Sequence, residues 1–229
     1  MITAVLFDFA GVLTSSPWIA MTAAGGGNLE LLIGSYEEDT DHPWHQVERG
    51  EMAIADWAAA VTDTGRAQGV DVDFTPLQTM LGEITVNHQI IECIRSLREE
   101  GYRLGLITNN VREGSAMWRS LVPVDDLFEV VVDSSEVGMR KPNPAIFHHA
   151  LSLLGDVPPE QAVFLDDSPG NIDGARRAGL RAILVDDPDE AVRDLDALLA
   201  KEVSPDGSPH GGRQADQAGG GHAKGPEPP

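Results

Sequence analysis

The chain has very little lysine, a single cysteine and no long apolar run. It contains 3 lysines against 13 arginines, and Lys141 is the only lysine before residue 201. Because Cys93 is alone, an intramolecular disulfide is excluded, and nothing demands an oxidising compartment. No stretch approaches the ~18 continuous apolar residues that a membrane span needs, and the N-terminus lacks the basic region of a secretion signal. We therefore expect a soluble, cytoplasmic protein with no membrane partner.

Positive charge is scarce as well, because the formal net charge is −21 and the isoelectric point is about 4.4. Residues 203–229 carry three acidic and two basic side chains, so the acidity belongs to the rest of the chain. A field of this sign repels nucleic-acid phosphates and anionic lipids. We expect no nucleic-acid partner. An anionic small-molecule substrate would need local positive charge from Lys141, a metal ion or both.

Short apolar runs alternate with helical patterns over most of the chain. Runs that are apolar on both faces are typical of buried parallel strands. They cover residues 4–7, 104–107, 128–132, 162–165 and 182–185. Amphipathic helical patterns cover residues 88–100, 112–121, 144–154, 170–178 and 189–199. This alternation predicts an α/β fold with a doubly wound, Rossmann-like parallel sheet.

The interval from residue 15 to residue 85 has no comparable apolar run and shows helical patterns instead. They cover residues 28–36, 43–49, 52–62 and 76–86. We interpret residues 15–85 as a helical cap inserted into an α/β core formed by residues 1–14 and 86–200. In residues 203–229, 12 of 27 residues are glycine or proline, which predicts a disordered tail.

Polar residues follow several of the predicted strands. Asp8 follows the first strand, Thr108 the second, and Asp166 and Asp167 the fourth, while Lys141 lies in a loop after the third. Ligands of doubly wound sheets gather at the carboxyl ends of the strands. These side chains are therefore predicted to meet in one crevice.

Three carboxylates at close range cannot all ionise unless a cation neutralises them. An all-oxygen, strongly negative site suits Mg²⁺, and a carboxylate such as Asp8 can then act as a nucleophile that forms an aspartyl-phosphate. Thr108 and Asn109 offer groups to phosphoryl oxygens, and Lys141 would hold the transferring group. The competing interpretation is that the strand-end aspartates only cap the helices that follow them.

These residues resemble the haloacid dehalogenase-like hydrolase superfamily. Four short motifs carry the resemblance, in the expected order: Asp8-Phe9-Ala10-Gly11-Val12-Leu13, then Leu106-Ile107-Thr108-Asn109, then Lys141-Pro142, then Asp166-Asp167. The insert after the first motif matches the helical cap of subclass I. Within the superfamily, the chain resembles the group that includes the amino-terminal phosphatase-like domain of soluble epoxide hydrolases and the domain fused to certain acyl-CoA dehydrogenases.

The resemblance implies a role for each motif residue. Asp8 would be the nucleophile and a Mg²⁺ ligand, and the backbone carbonyl of Ala10 would be a second ligand. Asp167 and Asp166 would complete the protein's share of the metal shell. Thr108, Asn109 and Lys141 would bind the phosphoryl group.

Ala10 departs from the family pattern, because phosphatases of this superfamily have a second aspartate there as general acid and base. General acid–base help is typically worth about 10²–10⁴-fold in rate. One hypothesis is a phosphatase or phosphohydrolase limited to good leaving groups. A second is a dehalogenase of the 2-haloacid type, and a third is a catalytically impaired binding or regulatory module. The Asp-x-Ala-Gly pattern also resembles phosphonoacetaldehyde hydrolase, but residues 15–85 lack the lysine that this chemistry needs.

Cap residues that select the substrate are harder to predict. Trp44, His45 and Arg49 are candidates to face a ligand. The alternative, which we favour, is that Trp44 packs in the cap and Arg49 pairs with Glu48 or Glu51.

Overall fold

The computed structural model describes residues 1–35 and 37–203. The predicted disordered tail therefore lies outside the described residues, except for Val203, which ends the last helix. Within the described part, no helix combines the length and the apolar character that crossing a membrane requires.

Five parallel strands form one sheet in the order β3-β2-β1-β4-β5. The strands are β1 (Ala4–Phe7), β2 (Arg103–Thr108), β3 (Val130–Asp133), β4 (Ala162–Asp166) and β5 (Arg181–Leu184). The chain runs outward from β1 through β2 to β3 and then crosses back to β4 on the other side of β1. This reversal creates a switch point beside β1, where doubly wound sheets bind their ligands.

Helices follow and flank the strands. They are α1 (Trp18–Ala24), α2 (Leu29–Ile33), α3 (Pro43–Glu48), α4 (Ile54–Gln68), α5 (Thr75–Leu81), α6 (His88–Glu99), α7 (Ser115–Leu121), α8 (Val124–Leu127), α9 (Ser134–Val137), α10 (Pro144–Leu153), α11 (Pro169–Arg177) and α12 (Pro188–Val203). Two short 3₁₀ helices cover Arg112–Gly114 and Pro159–Gln161.

Side chains alternate along the strands and bury both faces of the sheet. In β1, Val5 and Phe7 join a cluster with residues of α6 and α12. Ala4 and Leu6 join a second cluster with residues of α10 and α11. Each fully buried aliphatic or aromatic side chain stabilises the fold by roughly 1.5–3 kcal/mol. The two clusters confirm the predicted doubly wound α/β architecture.

The segment between β1 and α6 is helical, and we call α1–α5 the helical insert. Its helices pack around their own buried cluster, which is Met21, Ala24, Leu32, Ile33, Val47, Trp57 and Val61. The indole of Trp57 also donates to the carbonyl of Leu32 at 2.8 Å. Helix α1 was not predicted, and α4 runs six residues beyond the predicted end at residue 62.

The third strand begins later than the sequence indicates. The apolar run from residue 128 predicts a strand start there, but β3 begins at Val130. Phe128 instead donates its backbone N–H to Val124 at 3.0 Å and ends the one-turn helix α8. The backbone N–H of Phe128 is therefore used in a helical hydrogen bond and not in the hydrogen-bond ladder of the sheet.

Candidate active site

Asp8 lies at the switch point because it directly follows β1. Its backbone N–H donates to the carbonyl of Leu165 in β4 at 2.9 Å, which continues the ladder one residue past the strand. The register pairs Phe7 with Leu165, so Asp8 stands next to Asp166. Two carboxylates from neighbouring strands therefore meet at the same edge of the sheet.

Lys141 brings the positive charge to these carboxylates. Its Nζ lies 2.6 Å from Oδ1 of Asp8 and 2.7 Å from Oδ2 of Asp166, and the side chain is 1% exposed. The ammonium also lies 5.2 Å from the ring centroid of Phe164, a distance at which an aromatic face attracts a cation. The lysine predicted from its rarity is thus enclosed in the site.

The loop that carries Lys141 is held at several points. The Oδ1 of Asn109 accepts from the backbone N–H of Lys141 at 2.9 Å, and its Nδ2 donates to the carbonyl of Lys141 at 3.0 Å. Asn143 caps α10 by accepting from Ala145 at 3.0 Å. Gly174 of α11 packs so closely that an added Cβ would lie 2.4 Å from the Pro142 carbonyl. Both ends of the Asn109 amide therefore position Lys141, and the predicted contact of Asn109 with phosphoryl oxygens stays a prediction.

Asp8, Asp166 and Asp167 form the cluster that can hold a metal ion. Each offers one oxygen, and these oxygens lie within 4.8 Å of one another. Carboxylate oxygens this close together would be able to share one divalent cation. The donor set fits Mg²⁺, because it consists of hard carboxylate oxygens with a strong negative charge.

The carboxylates of Asp166 and Asp167 have different partners. Both oxygens of Asp166 accept from Asn171 at 3.0 Å, Oδ1 also accepts from the Ser168 N–H, and Oδ2 contacts Lys141. This fully buried group orients Lys141, and its predicted role as a metal ligand stays a prediction. Asp167 accepts at Oδ2 from Ser16 at 2.9 Å and from the Trp18 indole at 3.0 Å. Two residues at the start of the helical insert therefore fix the Asp167 carboxylate.

Burial and like charges perturb the titration of these groups. Burial raises the pKa of Asp8 well above its ordinary value, Lys141 partly offsets this, and the charges of Asp166 and Asp167 raise it further. Burial, with the charge of Asp166, raises the pKa of Asp167 to about 6. Burial lowers the pKa of Lys141, but the charges of Asp166 and Asp8 outweigh it and leave the value raised. These directions are those expected of carboxylates crowded together in a buried place, whose charges a divalent cation would neutralise.

Thr108 and Ala10 differ in whether they line the cavity beside Asp8. Thr108 is fully buried at the end of β2, and its hydroxyl accepts from Nδ2 of Asn110 at 3.1 Å. It does not line the cavity described next, so this conformation does not present the predicted phosphate-binding hydroxyl to that space. Ala10 does line the cavity. Its predicted role as a carbonyl ligand of the metal stays a prediction.

A cavity of about 90 Å³ lies against Asp8, and we call it the Asp8 cavity. The core contributes Asp8, Ala10, Lys141 and Asn171 to its wall, and the helical insert contributes Trp44 and Glu48, among others. This volume holds several water molecules, since each needs roughly 10–15 Å³ by this measure. It therefore suits a small group such as a phosphoryl.

An apolar cavity of about 400 Å³ adjoins the Asp8 cavity. The two share Ala10, Pro17, Met21, Trp44 and Asn109 as wall residues. The walls of the larger cavity are mainly aromatic and aliphatic side chains from both the core and the insert, including Phe9, Trp57, Leu77, Met80, Met117 and Trp118. A small polar cavity beside a larger apolar one suits a ligand with one anionic end and one apolar end.

The three insert residues that we considered for ligand contact have separate environments. Trp44 lines both cavities. His45 is fully buried and its Nδ1 accepts from Thr40 at 2.9 Å, while burial and the charge of Arg140 lower its pKa to about 4. Arg49 pairs with Glu51 at 2.8 Å, which is one of the two pairings favoured from the sequence, and with Asp39 at 2.5 Å.

Glu48 pairs with Arg140, a contact that the sequence did not predict. Nε of Arg140 donates to Oε2 of Glu48 at 2.6 Å, and both side chains are buried. Both also line the Asp8 cavity. The sequence also does not predict the contacts of Ser16 and Trp18 with Asp167. No local pattern reveals these contacts, since each joins segments that are far apart in the chain, although Arg140 stands directly before Lys141.

Comparison with known proteins identifies the family to which the chain belongs. The family model of haloacid dehalogenase-like hydrolases matches residues 2–179. The chain is 30% identical over 209 residues to acyl-CoA dehydrogenase family member 10 from Mus musculus, covering 86% of this chain and 19% of that protein. It is 25% identical over 196 residues to pyrophosphatase PpaX from Bacillus mycoides, covering 80% of this chain and 83% of that protein.

A solved structure supports the same relationship. The chain superposes on a HAD-like family hydrolase from Porphyromonas gingivalis with a TM-score of 0.61 and 25% identity, covering 87% of this chain and 98% of that chain. The chain spans about a fifth of the length of the mouse acyl-CoA dehydrogenase relative. With a family model that matches most of its length, the chain belongs to the haloacid dehalogenase-like hydrolases.

Proposed function

We propose that the protein is a Mg²⁺-dependent phosphohydrolase that transfers the phosphoryl group of its substrate to Asp8 and then to water. The observation that carries the proposal is the contact of Lys141 with both Asp8 and Asp166, with Asp167 beside them. Phosphoryl transfer depends mainly on positioning and charge neutralisation, and this arrangement is suited to both. The name of the pyrophosphatase relative is consistent with phosphorus chemistry.

In the first step, an oxygen of Asp8 forms a bond to phosphorus while the bond to the leaving-group oxygen breaks. The electron pair of that bond stays with the leaving group. Lys141 stabilises negative charge on the phosphoryl oxygens, and Asn109 also lines the cavity. Mg²⁺ held by Asp8, Asp167 and the Ala10 carbonyl would neutralise charge on the same group. In the second step, water attacks phosphorus, and the bond to Asp8 breaks to release phosphate.

Two features restrict the substrate that we propose. Position 10 has no acid to protonate a poor leaving group, so the leaving oxygen must be stabilised on its own, as in an aryl or acyl phosphate. The apolar cavity beside the Asp8 cavity has room for an aromatic or aliphatic body. The proposed substrate is therefore a phosphorylated small molecule whose leaving group is activated and carries an apolar part.

The test measures release of aryl oxide from 4-nitrophenyl phosphate with Mg²⁺ and with EDTA, for the wild type and for Asp8→Asn. Asp63→Asn is the matched control, because Asp63 is exposed on α4 away from the cavity. We expect Mg²⁺-dependent turnover that Asp8→Asn lowers by at least about 10³-fold and that Asp63→Asn leaves unchanged. Turnover that persists in Asp8→Asn, or that EDTA does not affect, contradicts the proposal.

Ala10 also favours a second candidate, because a dehalogenase needs no acid at this position. Halide release from 2-haloacids without metal, together with no aryl phosphatase activity, would assign that chemistry instead. Mg²⁺-dependent binding of a phosphate compound without turnover would assign a binding module.

A further inference from the structure

Glu48 is a buried carboxylate that faces the proposed reaction space. It ends α3 of the helical insert, is 6% exposed and lines the same small cavity as Asp8 and Ala10. Buried carboxylates are uncommon unless they are paired or functional. The pairing partner is Arg140, but the pair itself lies on the cavity wall rather than inside a core cluster.

Arg140 fixes the position of Glu48. Its Nε donates to Oε2 at 2.6 Å, and the guanidinium also donates to the carbonyl of Glu38 at 3.4 Å and lies 3.9 Å from Oδ1 of Asp39. The guanidinium therefore holds the Glu48 side chain at one place on the cavity wall. A carboxylate held in one place is suited to accept a proton from a water molecule in the cavity.

The direction from which Glu48 enters the cavity matters for the chemistry. In-line displacement requires the attacking water to approach phosphorus on the side opposite to the bond that breaks. Asp8 comes from the core sheet, whereas Glu48 comes from the helical insert, and the two share the wall of a cavity of about 90 Å³. The insert therefore places a carboxylate on the wall of the cavity in which an aspartyl-phosphate at Asp8 would form.

We propose that Glu48 is the general base for hydrolysis of the aspartyl-phosphate, and this inference rests on the proposed function. Glu48 takes one proton from a water molecule as the water oxygen forms its bond to phosphorus. The bond between phosphorus and the Asp8 oxygen breaks, and its electron pair returns to the Asp8 carboxylate. Phosphate leaves, and the proton passes from Glu48 to solvent.

A base at Glu48 that acts only in the second step is consistent with the alanine at position 10. An activated leaving group departs without a proton, so the first step needs no acid. Water is a poor nucleophile and still needs a base in the second step. A base held by Arg140 meets that need without an acid at position 10.

The test uses Glu48→Gln, which keeps the size of the side chain and an oxygen that can accept from Arg140. We expect a rapid burst of about one aryl oxide per protein from 4-nitrophenyl phosphate with Mg²⁺, followed by turnover that is about 10²–10⁴-fold slower. Acid quenching after reaction with ³²P-labelled aryl phosphate should trap a near-stoichiometric phosphoenzyme. Glu51→Gln is the matched control, since Glu51 lies three residues after Glu48, pairs with Arg49 and lines neither cavity.

A purely structural Glu48 would give a different result. If Glu48→Gln lowers the burst and the steady rate equally, or leaves both unchanged, Glu48 is not the base. Ala10→Asp in the Glu48→Gln background should restore phosphoenzyme breakdown, because it places a carboxylate on the same cavity wall. If Glu48→Gln does not fold, the double variant Glu48→Gln with Arg140→Gln replaces the ion pair by a neutral pair. The burst, the steady rate and the trapped phosphoenzyme of the double variant are then compared with those of the wild type.

The outcomes separate this inference from the proposed function. A wild type without Mg²⁺-dependent activity and without phosphoenzyme defeats both. An active wild type whose Glu48→Gln variant shows no excess phosphoenzyme defeats the role of Glu48 alone.

Discussion

Lys141 Nζ lies 2.6 Å from Oδ1 of Asp8, in a site where the lysine side chain is 1% exposed. Breaking a buried charge pair by removing one partner typically costs about 3–5 kcal/mol. Lys141→Met should therefore destabilise the metal-free protein by about 3 kcal/mol and lower kcat/KM on aryl phosphate by at least about 10²-fold. Urea denaturation with EDTA and steady-state kinetics measure the two effects.

Lys201→Met is the control for this prediction, because Lys201 is exposed on α12. It should change neither stability nor activity. Added Mg²⁺ should recover part of the stability lost in Lys141→Met, since the remaining carboxylates can share the ion. A Lys141→Met protein as stable and active as the wild type would show that the ammonium does not hold this site together.

The absence of a side chain at Gly11 leaves room for the Asp167 carboxylate beside Asp8 and Asp166. A Cβ at Gly11 would lie 1.9 Å from Oδ2 of Asp167, and φ of Gly11 is +89°. Gly11→Ala should therefore displace the carboxylate and weaken Mg²⁺ binding by at least about tenfold, as loss of a well-placed ligand group does. Isothermal titration calorimetry measures this change.

Gly101→Ala separates backbone strain from the displacement of Asp167. Gly101 has the same φ of +89°, but among the described residues a Cβ there would meet no atom within 4 Å beyond its chain neighbours. Both variants should lose about 1–2 kcal/mol of stability from the left-handed conformation, and only Gly11→Ala should lose Mg²⁺ affinity. Equal affinities would mean that Asp167 does not hold the ion.

The third prediction concerns the alanine at position 10. Ala10 lines the Asp8 cavity, beside the proposed nucleophile. Ala10→Asp should raise turnover of alkyl phosphates by about 10²–10⁴-fold, because it supplies the acid that a poor leaving group needs. Ala10→Asn has a similar size but no transferable proton, and it should give no gain. Equal rates for the two variants on alkyl phosphates would contradict an acid role at this position.

The sheet and its strand-end carboxylates could be predicted because their signals are local. An apolar run followed by Asp8 or by Asp166 identifies the end of a buried strand without knowledge of the rest of the fold. Parallel pairing then brings both strand ends to one edge. Lys141 could be predicted because the chain uses lysine so rarely.

The contacts between the insert and the core could not be predicted in this way. Glu48 meets Arg140, and Trp18 meets Asp167, only after two elements with separate hydrophobic clusters have docked. Sequence periodicity indicates which face of a helix is buried but not which polar residue lies opposite. Helix α1 was missed because it has no side-chain cap and no charged residue in its first or last turn.

The fourth prediction concerns the pH dependence of stability in the metal-free protein. Burial and the charge of Asp166 raise the pKa of Asp167 from 3.8 to about 6. Between these values the folded state holds more protons on this group than the unfolded state. Stability from this group is therefore fully present below about pH 4 and is lost as the pH rises through about 6.

Asp167→Asn removes this titration while keeping an oxygen that can accept from Ser16 and Trp18. With EDTA present, the variant should gain about 1–2 kcal/mol over the wild type at pH 7.5, and the gain should shrink toward pH 4.5. Urea denaturation across this range measures the difference, and the other titrating groups cancel because both proteins share them. With saturating Mg²⁺ at pH 7.5 the order should reverse, since only the wild type has the Asp167 carboxylate to bind the ion. A gain that does not depend on pH would show that Asp167 is not protonated in the metal-free site.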